Sequence, residues 1–189
     1  IIGISWRSQN VTTAALKSSL LDAWRPILSA PHVTFVNLQY GDTGDELDRL
    51  HAATGIKVVN EPLTDPLTDL DGHLAQVAAM DLVISTSNTT VHAAGAQDIP
   101  VWCLVPKVLG EGLRWMWFAG REDSPWYKSL RFYRQIQQGD WGVPIGHAAT
   151  DLVGWSAARL PAFDATKRLK QLAMAFQKSG QTVPMGMAA

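Results

Sequence analysis

Several common features are scarce in this chain of 189 residues. The single cysteine, Cys103, lies in the apolar run VWCLV, which excludes a disulfide framework within the chain and indicates a small buried side chain in a reducing compartment. With 16 basic and 17 acidic residues, the chain lacks the basic excess expected of a protein that binds nucleic acid. No apolar run in these residues is long enough to span a membrane, and none has the pattern of a signal peptide. We therefore predict a cytoplasmic protein with no nucleic-acid partner and no membrane span.

The signatures of several ligand sites are also missing. No G-x-G-x-x-G follows the first apolar run and no G-x-x-x-x-G-K-[ST] occurs, so a dehydrogenase-like dinucleotide site and a P-loop lack support. The five histidines show no metal-ligand spacing, and there is no G-x-S-x-G elbow. We therefore predict no metal site from these motifs.

Apolar runs rich in β-branched residues alternate along the chain with helix-like segments. Strands are predicted at Ile1–Trp6, His32–Tyr40, Lys57–Val59, Leu82–Thr86, Val101–Val105 and Leu130–Gln135. Helices are predicted at Thr13–Leu28, Glu46–Ala53, Gly72–Met80, Thr90–Ala96, Ala148–Leu160 and Ala165–Phe176. This alternation predicts an α/β fold, a Rossmann-like doubly wound parallel sheet of about six strands with helices on both faces. Ligands of such sheets bind at the carboxyl ends of the strands.

The junction between the fourth strand and its helix carries more polar residues than a turn needs. Six small polar residues stand in a row: Ser85, Thr86, Ser87, Asn88, Thr89 and Thr90. A helix N-terminus offers N–H groups and the positive end of its dipole, which together suit an anion. One of Ser87, Asn88 and Thr89 is expected to cap the helix, and the others either complete the turn or bind the anion. His92, in the first turns of this helix, either faces the ligand or packs against the sheet edge.

Two further segments have both a ligand-binding and a structural interpretation. Arg7 falls at the carboxyl end of the first strand, where it could contact a phosphate or simply lie on the surface. The pair Asp69 and Asp71 could hold a divalent cation, but the apolar helix that follows favours Asp71 as its N-cap. Aromatic residues and arginines interleave over Glu111–Gln135, a pattern that suits base stacking or, as we favour, a flap packed on the sheet by its tryptophans.

Taken together, seven stretches of the chain resemble a known group of proteins. In order they are GISWRS, FVNLQYGD, DLDGHLAQVAAMDLVISTSNTTVHAAGA, PVWCLVP, LRWMW, SPWYKSLRFYRQ and GDW. They are similar to the C-terminal glycosyltransferase-like region of bacterial tetratricopeptide-repeat proteins, which is related to the heptosyltransferases and the O-linked N-acetylglucosamine transferases. The resemblance covers roughly residues 1–141.

The resemblance implies the C-terminal, donor-binding half of a GT-B fold, which needs no metal and binds a UDP- or ADP-linked sugar. By position, the implied diphosphate-binding residues are Arg7, Ser8, Ser87, Asn88, Thr89, Thr90 and His92. The nucleoside is implied to lie against Asp71 and Leu74. Heptosyltransferases usually have Asp-Thr-Gly where this chain has Ser87, Asn88 and Thr89, so the resemblance does not specify the sugar.

The expected organisation is one domain within a larger protein. Residues 1–142 form the nucleotide-sugar-binding domain, residues 143–178 its closing helices and residues 179–189 a loose tail. Because the chain enters strand-like sequence at Ile1 without a methionine, we expect it to be a fragment of a longer protein. The resemblance implies an N-terminal domain of the same protein as a partner, which would supply the general base. A protein or glycan is the expected acceptor. The alternative is a non-catalytic module of the same fold that binds a nucleotide or a protein.

Overall fold

A computed structural model describes residues 1–10, 12–61, 64–107, 117–118 and 120–159 of the chain. The strands are β1 Ile2–Ser5, β2 Phe35–Asn37, β3 Val58–Val59, β4 Leu82–Thr86, β5 Val101–Val105 and β6 Leu130–Arg134. The α-helices are α1 Ala14–Lys17, α2 Arg25–Leu28, α3 Gly44–Thr54, α4 Leu70–Ala78, α5 Thr89–Ala96 and α6 Gly142–Ala157. A 3₁₀ helix, Leu21–Trp24, precedes α2. The predicted α/β fold is confirmed.

The six strands form one parallel sheet in the order β3-β2-β1-β4-β5-β6. The chain winds outward from β1 to β3 and then crosses back to β4, which pairs with β1 on its other side. Because parallel crossovers are right-handed, the reversal places helices on both faces of the sheet. The carboxyl ends of β1 and β4 meet where Ser5 pairs with Ser85. This is the topological switch point, where a doubly wound sheet forms its ligand crevice.

Alternate residues of the central strands point to one face of the sheet and form the main hydrophobic cluster there. Ile4, Ile84 and Leu104 are fully buried and belong to one cluster with Trp24 and Leu152. All five residues of β4 and of β5 are buried, as parallel strands covered on both faces must be. Cys103 is a free, fully buried cysteine, and burial raises the pKa of its thiol. Its predicted role as a small buried side chain is confirmed.

The predicted continuous helix over Thr13–Leu28 is wrong. The chain instead forms α1, the 3₁₀ helix and α2, because residues between them bond to the rest of the fold. Ser18 is extended, and the Ser19 N–H donates to the carbonyl of Trp6 at 2.9 Å. The Ser19 hydroxyl accepts from the indole of Trp24 at 2.7 Å, and Pro26 has no N–H for a helical bond. Leu20, just before the 3₁₀ helix, is consequently 74% exposed.

The other predicted elements differ from the observed ones mainly at their ends. The second strand, Phe35–Asn37, is shorter than predicted at both ends, and His32 is excluded from it by a positive φ of 61°. Gly55 ends α3 in the left-handed conformation, with φ of 73°. The strands β4 and β5 begin and end as predicted.

Residues 1–156 form one compact unit. The predicted helix Ala165–Phe176 and the predicted tail lie outside the described residues, as do residues 111–116 and 119 of the aromatic segment. Among the described helices, none is both long enough and apolar enough to cross a bilayer.

Candidate functional site

Asn88 joins the two strands that meet at the switch point. It is the N-cap of α5, and its carbonyl oxygen accepts from the N–H of Thr90 at 3.0 Å. Its amide donates to the hydroxyl of Ser5 at 2.7 Å and to the carbonyl of Arg7 at 3.1 Å. The prediction that one of three polar residues caps this helix is confirmed. The cap also ties the loop after β1 to the turn after β4, so both sides of the crevice have a defined position.

The other polar residues of the turn have unequal roles. The Ser85 hydroxyl donates to the carbonyl of Thr86 at 2.8 Å, and the Ser87 hydroxyl accepts from the indole of Trp117 at 2.7 Å. Thr89 is exposed. The hydroxyls of Thr86 and Thr90 are buried and find no hydrogen-bond partner within the described part of the chain. Local structure thus accounts for about half of the polar residues, and the Thr90 hydroxyl remains available.

A cavity of about 370 Å³ opens beside this turn, and we call it the switch-point cavity. Its described lining consists of Ser8, Gln9, Asn10, Lys17, Tyr40, Pro66, Leu67, His73, Ser87, Asn88, Thr89, Thr90 and His92. These residues include one lysine and two histidines but neither aspartate nor glutamate. The Lys17 side chain is only 6% exposed, so its charge acts in partly desolvated surroundings where electrostatic interactions are strong. A lining of this kind favours an anionic ligand.

Two buried polar atoms of this cavity have no partner in the described structure. They are the hydroxyl oxygen of Thr90 and Nδ1 of His73. Burial also lowers the pKa of His73, because the protonated ring is the poorly solvated form. Burying a polar group without a partner costs free energy, and native proteins seldom leave such groups unpaired. A ligand or a water molecule in the cavity would supply the missing partners.

The imidazole of His92 is held by two aromatic residues of the segment before β6. Its Nδ1 lies 3.0 Å from the hydroxyl of Tyr127, and its ring stacks on Trp117 with centroids 5.1 Å apart and planes at 15°. Arg134 donates to the carbonyls of Trp117 and Phe118 at 2.6 and 2.8 Å, which holds this part of the segment against the sheet. Trp117 therefore packs as the flap prediction expects, whereas Trp126 is 53% exposed.

Arg7 turns away from the switch-point cavity. Its guanidinium forms an ion pair with Glu46 and donates to the carbonyl of Asp42 at 2.5 Å. It lies 5.7 Å from the ring centroid of Trp6. The neighbouring Ser8 does line the cavity, and its backbone N–H donates to the hydroxyl of Ser18 at 2.9 Å. A phosphate contact by Arg7 therefore requires this ion pair to open.

The predicted nucleoside contacts lie outside the lining of the cavity. Asp71 is exposed in the first turn of α4, and Leu74 is half-buried. The prediction that Asp71 caps this helix is wrong, because Asp69 is the N-cap and accepts from the N–H of Gly72 at 2.8 Å. An N-cap carboxylate reaches the third residue of its helix, and here the helix begins two residues before the predicted Gly72. His73, between the two predicted contacts, lines the cavity instead.

Sequence reasoning missed Lys17 and His73 as residues of the site. A lysine beside an amphipathic pattern is typical of a solvent-exposed position, so the sequence contains no signal that Lys17 would be buried. For His73, the helical spacing to Val77 was a signal, because residues four apart share a face and Val77 is fully buried. Among the described residues, no group of three or more His, Cys, Asp or Glu is placed to hold a metal ion.

A second cavity, of about 470 Å³, lies where β2 and β3 end, and we call it the β2–β3 cavity. Pro66 and Leu67 line both cavities. The acidic residues in its lining are Asp42, Glu61 and Asp65, and its described lining contains no Lys, Arg or His.

The amide groups of the β2–β3 cavity largely bond to neighbouring side chains. The Asn37 amide donates to Thr43 at 2.9 Å and to Asn60 at 2.8 Å, and the Gln76 amide donates to Glu61 at 2.9 Å. The second cavity thus differs from the first in both charge and hydrogen bonding.

The fold and the site define the class of this domain: a Rossmann-like α/β domain with an anion-compatible cavity at its switch point. No family model matches the chain. Over 158 residues it is 35% identical to Protein FlbA of Caulobacter vibrioides, a match that covers 83% of this chain and 26% of FlbA. The chain therefore spans about a quarter of the length of this relative.

Proposed function

We propose that this chain is the donor-binding domain of a metal-independent glycosyltransferase and that the switch-point cavity binds the diphosphate of a UDP- or ADP-linked sugar. The observation that carries the proposal is the meeting of Lys17, the unpartnered Thr90 hydroxyl and the start of α5 around one cavity without a described carboxylate. FlbA is about four times as long as the matched region, which is consistent with a donor domain inside a larger protein.

The local chemistry of the cavity suits a diphosphate in two ways. The positive end of the α5 dipole and the ammonium group of Lys17 offset negative charge. The Thr90 hydroxyl and the imidazole of His92 add hydrogen-bond donors, and hydrogen bonds to a charged acceptor are among the stronger ones. Ser8 and Thr89 complete the rim.

In the transfer step, the bond between the anomeric carbon and the β-phosphate oxygen breaks while the acceptor oxygen bonds to that carbon. Negative charge grows on the departing diphosphate, and preorganised groups such as Lys17 and Thr90 stabilise it in the transition state. The acceptor proton passes to a general base, which we place in an N-terminal domain of the full protein. We therefore expect the 189-residue chain alone to bind the donor without transferring the sugar.

A non-catalytic nucleotide-binding module is the second candidate. The engagement of Arg7 by Glu46 favours it, since an arginine held this way does not assist the leaving group. The two candidates share the binding site and differ in turnover. Sugar transfer by the full-length protein from a bound donor would support the transferase, and tight nucleotide binding without any transfer would support the module.

The binding proposal is tested by titrating UDP, ADP, GDP and CMP against the chain and following its melting temperature. A ligand that binds the folded state raises the melting temperature by mass action. We expect UDP or ADP to do so and Thr90→Val to weaken binding about 3- to 10-fold, the effect of losing one hydrogen bond.

Thr86→Val is the matched control, because its hydroxyl is equally buried and unpartnered but does not line the cavity. We expect the control to bind like the wild type. The donor-site proposal is wrong if none of the four nucleotides stabilises the wild-type chain, or if the two valine variants lose affinity equally.

A further inference from the structure

We propose that Tyr127 is a positioning residue that keeps the proton of neutral His92 on Nε2, so that the ring donates a hydrogen bond into the switch-point cavity. The inference concerns a residue outside the cavity lining and outside the predicted site. Its consequence for nucleotide binding rests on the proposed function, whereas the tautomer of His92 does not.

The contact between the two residues has the geometry of a hydrogen bond. The Tyr127 hydroxyl lies 3.0 Å from Nδ1 of His92, and the two rings meet edge to face at 70° with centroids 5.8 Å apart. The phenolic hydrogen is a good donor, and the unprotonated nitrogen of an imidazole is a good acceptor. The hydrogen bond made by one ring nitrogen determines which nitrogen carries the proton. With Tyr127 donating to Nδ1, the proton of the neutral ring is on Nε2.

The helix that carries His92 is shaped to receive Tyr127. Gly95 lies one turn further along α5, and a Cβ at this position would be 2.4 Å from Cγ of Tyr127 and 2.7 and 2.8 Å from the Cδ atoms. No side chain larger than hydrogen therefore fits beneath the Tyr127 ring. This close approach allows the hydroxyl to reach His92.

The imidazole is restrained on its face as well as at its edge. Trp117 stacks on it with planes 15° apart, and the Trp117 indole is anchored by its bond to Ser87. The carbonyl of Trp117 in turn accepts from Arg134 at 2.6 Å. Trp117 thus orients the plane of the ring, and Tyr127 selects its tautomer. A donor oriented before the ligand arrives costs less free energy to use than one that must be ordered on binding.

The test compares wild type with Tyr127→Phe, which removes the hydroxyl and retains the ring over Gly95. Histidine side-chain ¹⁵N NMR spectra of the whole chain report the tautomer, with the His92 signals assigned from His92→Asn. We expect wild-type His92 to carry its proton on Nε2 and the variant to shift toward a mixture of tautomers. UDP affinity should fall about 3- to 10-fold, as for the loss of one hydrogen bond.

Tyr133→Phe is the matched control. It removes a hydroxyl that donates to Asp151 at 2.9 Å and does not line the cavity, so both the His92 tautomer and UDP affinity should stay as in the wild type. Gly95→Ala is a second route to the same result, because it displaces the Tyr127 ring while retaining its hydroxyl.

The outcomes separate this inference from the proposed function. A wild-type His92 with its proton on Nδ1, or a tautomer unchanged in Tyr127→Phe, would overturn the positioning role whatever the nucleotide does. If the His92 tautomer shifts in Tyr127→Phe while the variant binds UDP as tightly as the wild type, the claim that this tautomer strengthens nucleotide binding is overturned. If no nucleotide binds the wild type, the donor site is wrong, and the NMR result still decides the role of Tyr127.

Discussion

The switch-point cavity and the β2–β3 cavity lie at the same edge of the sheet, share Pro66 and Leu67, and differ in what their polar groups do. Around the β2–β3 cavity, amides bond to neighbouring hydroxyls, amides and carboxylates. Around the switch-point cavity, Lys17 is buried and the Thr90 hydroxyl has no described partner. Cavity size therefore does not identify the site, since the larger cavity has its hydrogen bonds made and carries acidic charge.

The difference has an energetic meaning. A hydrogen bond made within the protein contributes modestly to stability, whereas a buried polar group without a partner carries a desolvation cost. The hydrogen bonds around the β2–β3 cavity thus stabilise the folded state. The unpartnered Thr90 hydroxyl of the switch-point cavity instead carries a desolvation cost. Four predictions separate these roles, from the largest expected effect to the smallest.

The largest effect is expected from Asn88→Ala. This substitution removes the cap of α5 and leaves Ser5 and the carbonyl of Arg7 without their amide donor. Loss of a cap together with buried hydrogen bonds should lower the free energy of unfolding by about 3 kcal/mol. Urea denaturation measures this as a lower midpoint.

Asn60→Ala is the comparison from the other cavity, where exposed Asn60 accepts from Asn37. This substitution should lower the free energy of unfolding by less than about 1 kcal/mol, the value of one ordinary hydrogen bond. Equal midpoints for the two alanine variants would contradict the central role given to Asn88.

The second prediction concerns the charge of the switch-point cavity. Lys17→Met keeps a long side chain and removes the ammonium group, so UDP affinity should fall about 10- to 100-fold, the usual effect of losing a hydrogen bond between charged groups. Isothermal titration calorimetry measures the change. Lys57→Met alters the net charge equally at an exposed position outside the cavity lining and should bind UDP normally. If both variants lose affinity equally, Lys17 makes no specific contact.

The third prediction is a pH dependence of stability. Burial lowers the pKa of His73 in the folded chain, so the unfolded chain takes up this proton first as the pH falls. The free energy of unfolding should therefore decline below about pH 6.5, the ordinary pKa of histidine. The slope due to His73 is at most about 1.4 kcal/mol per pH unit. His73→Gln should remove this part of the slope in urea titrations between pH 7 and 5. A variant as pH-dependent as the wild type would exclude His73 as the source.

The smallest effect is expected at Glu61 in the β2–β3 cavity. Its carboxylate accepts from Gln76 at 2.9 Å and from the N–H of Thr64 at 3.1 Å, and a glutamine can still accept one of these bonds. Glu61→Gln should therefore lower the free energy of unfolding by less than about 1 kcal/mol. UDP affinity should remain within about twofold of the wild type, a difference no larger than the usual spread in the energy of one hydrogen bond. A large loss of affinity would show that the two cavities act together.

The strand, turn and helix at the centre of the site could be predicted from sequence because their signals are local. β4 is an apolar run with β-branched residues, and an asparagine follows it where the helix needs a cap. Helix α3 likewise ends at a glycine that can adopt a left-handed conformation. The prediction was wrong where contacts outside the helical pattern intervened: the bonds of Ser19 to Trp6 and Trp24 interrupt the helix that periodicity predicts.

The sequence by itself determined the α/β class, the order of most elements and the position of the polar turn, because each depends on residues within a few places of one another. Only the tertiary structure decided which side chains meet there. It turned Arg7 toward Glu46, 39 residues away, and brought Lys17 and His73 to the cavity from separate helices. It also placed Tyr127 on His92, 35 residues away. Such contacts depend on how distant segments pack, and a single sequence does not encode that packing in any local pattern.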